Sequence, residues 1–315
     1  MALSESFVEL AQRVSNWGRF GADDEVGTAN FVDGAAVQRG AGSVRLGERV
    51  SLSVPLVRDG IQVGQPAGRY NAMLAFTAFN ERDKMAPGVW SGCDDMVTMS
   101  TCAGTHVDAL SHISYDSLLY NGRPTSTITA SGGASWCGAE KIRPVVTRGV
   151  LIDVPRLRGV DRLPAGTAIT ADDLDAGYEA AKCAPEPGDV VCVRTGELGF
   201  YFEGDRQRYA VGENWQMTGI GLSCAEWFWR HDIAGAFIDT YGYEVMPPES
   251  NNWDDLLAVH MVQLRDMGLL QGQNWNFETL ALRCHDAGSL NFMLAVQPEP
   301  IVGATSSPAS PIAVL

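Results

Sequence analysis

The sequence predicts an α/β fold, and three observations carry that expectation. Four short runs rich in β-branched residues, "GERVSLSVPL" (47–56), "RGVLIDVP" (148–155), "GDVVCVRTG" (188–196) and "IAGAFIDT" (233–240), have the length and composition of strands. Two stretches, "SCAEWFWRHD" (223–232) and "LLAVHMVQLRDMG" (256–268), space their apolar residues at helical intervals. The two kinds mix along the chain instead of falling into separate blocks.

Each element has its own justification. The first residues, "MALSESFVELAQRV", set Phe7, Leu10, Ala11 and Val14 on one face of a helix, and their two glutamates interrupt any signal-peptide core. The run "DVVCVR" stops at Thr195-Gly196 and "AGAFID" at Asp239-Thr240, so polar residues sit at strand ends, where open α/β sheets form ligand crevices. The tail "ATSSPASPIAVL" returns from a Ser/Pro turn to an apolar end able to close a sheet. No internal repeat or low-complexity linker divides the chain, so one domain over residues 1–315 is expected.

Composition narrows the function. Carboxylates outnumber basic residues 38 to 23, a formal charge of -15, which repels phosphate backbones and anionic bilayers; neither nucleic acid nor membrane is an expected partner. No apolar run approaches the ~20 residues of a membrane helix. Seven cysteines, an odd number with no CxxC pair, fit reduced thiols in a cytoplasm.

The chemistry is concentrated in "STCAGTHVDALSHI" (100–113), which holds Cys102, His106, Asp108 and His112 and two of the chain's five histidines. Residues 102, 106 and 108 share parity, so an extended segment would present them on one face, and Gly104 would admit another group against the backbone. An imidazole and a carboxylate so placed can grip one divalent ion; the plainer reading of such a pair is a mutual hydrogen bond in a loop.

The same stretch resembles the signature of the cyclase family that includes bacterial kynurenine formamidase and isatin hydrolase, H-x-G-T-H-x-D with a further His four residues on. Here it reads Cys102-Ala-Gly104-Thr105-His106-Val-Asp108-Ala-Leu-Ser-His112, matching at every position but the first. Further likeness lies in "NWGRFGADDEVGTANF" (16–31), "YNG" (120–122), "VRTG" (193–196), "GLSCAEW" (221–227) and "SSPASPIAV" (306–314). The resemblance implies a swivelling β/β/α fold, a homodimer or homotetramer, and a divalent metal, Zn or Mn, that activates water against an amide or lactam carbonyl. It assigns His106 and Asp108 as metal ligands and His112 as the acid/base.

Two positions depart from the family pattern. Cys102 replaces its first His, and Gln273, within "LLQGQNWNFETLA" (269–281) after His260, stands where many relatives carry a Glu ligand. A site of Cys102, His106, Asp108 and Gln273 is chemically possible, with His260 a fifth ligand or a group behind them; a thiolate favours Zn over Mn. Loss of the metal would instead leave Cys102 as a nucleophile or as inert packing, and the pocket as a metal-independent cyclase or dehydratase of a natural-product pathway. Two enzyme classes are therefore expected: a metal-dependent hydrolase of a small cyclic or acylated amide, and this metal-free alternative. A catalytically dead binding protein is disfavoured by the intact His106, Asp108 and His112.

The guest is expected to be a ring-containing small molecule, because Phe79, Trp90, Trp215, Tyr241 and Tyr243 fall in loop-like stretches where they could line a pocket, though such aromatics are more often core. The pairs Asp23-Asp24 and Asp94-Asp95 are expected to cap turns. "GGASWCG" (132–138) lacks any nucleotide-binding pattern.

Overall fold

The structure, a computed structural model, describes residues 3–65, 68–81 and 90–315. Its chain begins in helix α1 (Glu5–Arg13), started by the Ser4 hydroxyl, which accepts from the Phe7 amide, and anchored by buried Phe7, Leu10 and Ala11. Helix α2 (Gly34–Gly42), strand β1 (Arg49–Ser51), the long pair β2 (Met73–Glu81) and β3 (Gly92–Thr98), and β4 (His106–Asp108) follow. The second part carries β5 (Val145–Asp153), α3 (Ala171–Ala180), β6 (Val190–Arg194), α4 (Ser223–Arg230), β7 (Gly235–Ile238), α5 (Ala258–His260), β8 (Leu270–Gly272), α6 (Glu278–Ala287), β9 (Asn291–Val296), β10 (Ser306–Pro308) and β11 (Ile312–Val314). Helix α5 runs directly into a π-helical segment, Met261–Met267, closed by left-handed Gly268.

Nine strands form one sheet in the order β1-β11-β9-β5-β6-β7-β8-β4-β10. Its centre, β5 to β8, is parallel, and both flanks are antiparallel. The period of two along the central strands splits the core in half. Val150, Ile152, Val191, Val193, Ala236 and Ile238 pack under α1, α3 and α4, while Leu151, Val190, Cys192 and Phe237 face Trp275, Phe292 and α6. Each large side chain so buried is worth about 1.5–3 kcal/mol. The continuous apolar runs of the central strands are what parallel strands covered on both faces require.

The α/β expectation is met, with corrections. "GERVSLSVPL" yields only three strand residues: the Leu52 amide still binds the Pro311 carbonyl in register, but beyond it the chain leaves the sheet edge and the Val54 amide binds the Thr105 hydroxyl. Phe79 lies in β2 and not in a loop, and Asp94-Asp95 lie within β3 and not at a turn. Asp24 does accept from the Val26 and Gly27 amides, while Asp23 pairs with Arg123. The tail closes the sheet, β10 beside β4 and β11 between β1 and β9. All seven cysteines are free thiols. Among the described residues no helix is long and apolar enough to cross a membrane.

Candidate active site

Strand β4 is three residues long, and its alternation puts His106 and Asp108 on one face, as the sequence predicts. Cys102 lies outside the strand, in a turn, so the alternation does not extend to it. The Ala103 amide folds back to the Ser100 carbonyl, and the Gln62 side chain donates to the Cys102 carbonyl at 3.0 Å, so residues 101–105 form turns before the strand starts. Beyond the strand the chain turns again, the His112 amide binding the Ala109 carbonyl, and the imidazole of His112 swings back to Asp108.

Asp108 is the hub and is fully buried. Its Oδ1 has no hydrogen-bond donor, although Nε2 of His106 lies 3.5 Å away and Nε2 of His112 3.8 Å. Its Oδ2 accepts from Gln273 Nε2 at 2.8 Å and Gln271 Nε2 at 3.2 Å, with Nε2 of His260 at 4.0 Å. Burial alone would raise this carboxyl, but the charges of His112, His106 and His260 together hold it far below the usual carboxylate range. Burial lowers His112, against the pull of Asp108. His260 moves the other way, because the carboxylate of Glu244, bonded to its Nδ1, outweighs the effect of burial.

These atoms suit a divalent cation. His106 has its Nδ1 taken by the Gly104 carbonyl at 2.8 Å and His260 its Nδ1 taken by Glu244, which leaves both Nε2 atoms directed at Asp108. Metal-binding imidazoles are oriented in this way, the far nitrogen fixed by a carbonyl or carboxylate. A buried carboxylate oxygen without a donor among imidazole nitrogens is an acceptor that a cation could satisfy. In this conformation, among the described residues, no three His, Cys, Asp or Glu side chains already form a ready-made ligand set.

His112, His260 and Gln273 also line a cavity of about 380 Å³, together with Arg69, Trp215 and Tyr241. Trp215 and Tyr241 thus reach the pocket expected of them, while Tyr243 is core, fully buried with its hydroxyl donating to Gln263, and Phe79 and Trp90 are exposed away from the cavity. Cys102 is buried outside the cavity lining, and burial raises its thiol, partly offset by Arg69; a reactive nucleophile needs the opposite shift. The polar strand ends also divide: Asp239 and Thr195 bond each other, and the chain just past them supplies Tyr241 to the cavity. Sequence reasoning missed Arg69, Glu244, Gln62 and Gln271. No motif marks them, since Glu244 and Gln62 act from loops on partners 16 and 40 residues away.

Residues 50–245 match the family described as "Putative cyclase". A crystal structure described as a novel cyclase is similar over 97% of this chain and 99% of its own, at 31% identity and a TM-score of 0.86. Isatin hydrolase A from Labrenzia aggregata matches at 18% identity and a TM-score of 0.58, over 87% of this chain and 94% of that one. An isatin hydrolase bound to the product analogue thioisatinate matches at 17% identity and 0.61, over 90% and 95%. No curated protein matches. The fold and the site together define an α/β protein of the swivelling β/β/α type. The chain belongs to the cyclase family.

Proposed function

We propose that this chain is a metal-dependent hydrolase that opens the C–N bond of a small cyclic or acylated amide. The observation that carries the reading is the buried Oδ1 of Asp108, without a donor among the described residues and with the Nε2 atoms of His106 and His112 at 3.5 and 3.8 Å, behind a cavity that His112, His260 and Gln273 line and that is sized for a small ring compound. Asp108, His106, His260 and Gln273 would hold the ion, with Cys102 a further candidate whose thiolate would favour Zn over Mn. Such an ion supplies a water of lowered pKa and polarises a carbonyl oxygen.

The remaining steps belong to the chain's own groups. Glu244 fixes the His260 ring, and the Gly104 carbonyl fixes His106, so neither rotates away from Asp108. Gln273 bridges Asp108 and His260 Nε2, at 2.8 and 3.2 Å, and ties the two walls together. His112, which faces both Asp108 and the cavity, takes a proton on Nε2 from the attacking water and delivers it to the departing nitrogen. The isatin hydrolases of the same fold act, by their names, on a cyclic amide, which suits this reading.

Metal analysis of protein purified without chelator tests it. About one divalent ion per chain is expected, with turnover of aryl amides lost on chelation and restored by the metal. A small fraction of one equivalent, with turnover indifferent to chelator, would sink the hydrolase and promote the metal-independent cyclase or dehydratase.

A further inference from the structure

We propose that the cavity selects substrates bearing a carboxylate, and that Arg69 is the residue that binds it. This rests on the reading of the cavity as the reaction site and adds to it the chemical class of the guest.

The first observation is a comparison among the arginines. Among the described residues, those without a carboxylate within 4.0 Å are Arg45, Arg49, Arg58, Arg143, Arg156 and Arg69. The first five are exposed to solvent; Arg69 is half-buried and lines the cavity with His112, His260 and Gln273. A guanidinium partly withdrawn from water presents a planar fork of donors that matches a carboxylate in two parallel hydrogen bonds.

The second observation is what surrounds it. Ile113, Val211, Met217, Met246 and Leu257 make most of the remaining wall apolar, and among the described residues Arg69 is the one fixed cation that lines it beside the imidazoles. A single guanidinium in an apolar wall suits a monoanion on a flat apolar body better than a phosphate dianion. The Tyr241 hydroxyl beside it is held by Gln62 Oε1 at 2.6 Å, and Gln62 in turn holds the Cys102 carbonyl, so Arg69 stands at the end of a chain of contacts reaching the turn before His106.

The third observation is the charge of the whole chain. At -15 it repels an anion approaching from solvent, so an anionic guest needs a local cation to enter, and Arg69 is placed to provide it. The carboxylate would lie at the Arg69 end, leaving the other end of the ring facing His112 and Asp108.

Binding measurements separate this proposal from the hydrolase reading, because they need no turnover. Titration calorimetry would compare indole-2-carboxylate with its near-isostere indole-2-carboxamide on the purified protein and on the Arg69→Met and Arg69→Lys variants. The native protein should prefer the carboxylate by about tenfold or more. Arg69→Met should abolish that preference, and Arg69→Lys should keep part of it. Equal affinities, no binding of either probe, or a preference that survives Arg69→Met would overturn the proposal. The last outcome would assign the anion to a metal or to the histidines. A preference carried by Arg69 in a protein that holds no metal would retain the proposal while the hydrolase reading falls.

Discussion

Asp108 and Asp239 are both fully buried carboxylates at the ends of sheet strands, and they are built for opposite purposes. Asp239 is saturated. The Thr195 amide donates to both its oxygens at 2.9 and 3.0 Å, the Thr195 hydroxyl at 2.7 Å and the Gly196 amide at 2.8 Å, all from the turn that ends β6. Asp108 has two amide donors on one oxygen and none on the other, with imidazoles standing off at 3.5 to 4.0 Å. Burial wins at Asp239, with Glu278 adding to it, and its carboxyl rises to about 7; at Asp108 the surrounding imidazoles win and hold the group ionised. Burial therefore does not tell structure from function here. What sets Asp108 apart is that its unmet oxygen stands among imidazole nitrogens.

The largest effect that would sharpen this contrast is at Asp108. Asp108→Asn should lower turnover by ~10³-fold or more, since the charge that would help hold the ion is gone, and should empty the site on metal analysis. Its urea midpoint should barely move, because an asparagine oxygen still accepts from Gln271 and Gln273. Substantial unfolding with metal retained would show Asp108 to be a structural carboxylate like its counterpart.

Next in size is His112→Ala, expected to cost ~10²–10⁴ in turnover with folding and metal content kept, and His112→Asn should restore neither rate nor proton transfer. Full turnover in either variant would move the acid/base role to another group. Glu244→Gln, which loosens the His260 ring, should weaken metal affinity by about 10–100-fold, read by competition with a chelator; unchanged affinity would remove His260 from the ligand set.

Asp239→Asn reverses the pattern. It sets an amide against three donors and should cost about 1–3 kcal/mol of stability while metal content stays intact. Its pH dependence is the smallest effect. The folded carboxyl keeps its proton up to about 7 while the unfolded one releases it near 3.8, so between those values the folded state binds more protons and stability falls as pH rises. Urea midpoints at pH 5 and 8 should fall more steeply for the native chain than for Asp239→Asn; equal slopes would show that Asp239 ionises normally.

How much of this could be read from the sequence follows from how each contact is made. His106 and Asp108 were legible because strand alternation is local and survives in three residues of β4. The central strands were legible because both their faces are buried, which leaves continuous apolar runs. Cys102 was misplaced, since parity assumes an extended chain and the Gln62 side chain, 40 residues away, fastens a turn there instead. Gln273 was placed by resemblance alone. Arg69 and Glu244 left no signal: each sits in irregular chain and gains its meaning only from neighbours that the fold delivers.

The π-helical segment Met261–Met267 lies between two of these partners, His260 before it and Gln273 after it. An α-helix advances about 100° per residue, and a π-turn holds an extra residue in each coil. The segment therefore works as a phase shifter, setting the azimuth at which His260 meets the strand that carries Gln271 and Gln273. Deleting one residue from it would let the coil relax into ordinary α-geometry and would shift His260 relative to the strand that carries Gln271 and Gln273. Here the chain has kept the less stable winding, and with it the angle on which the site depends.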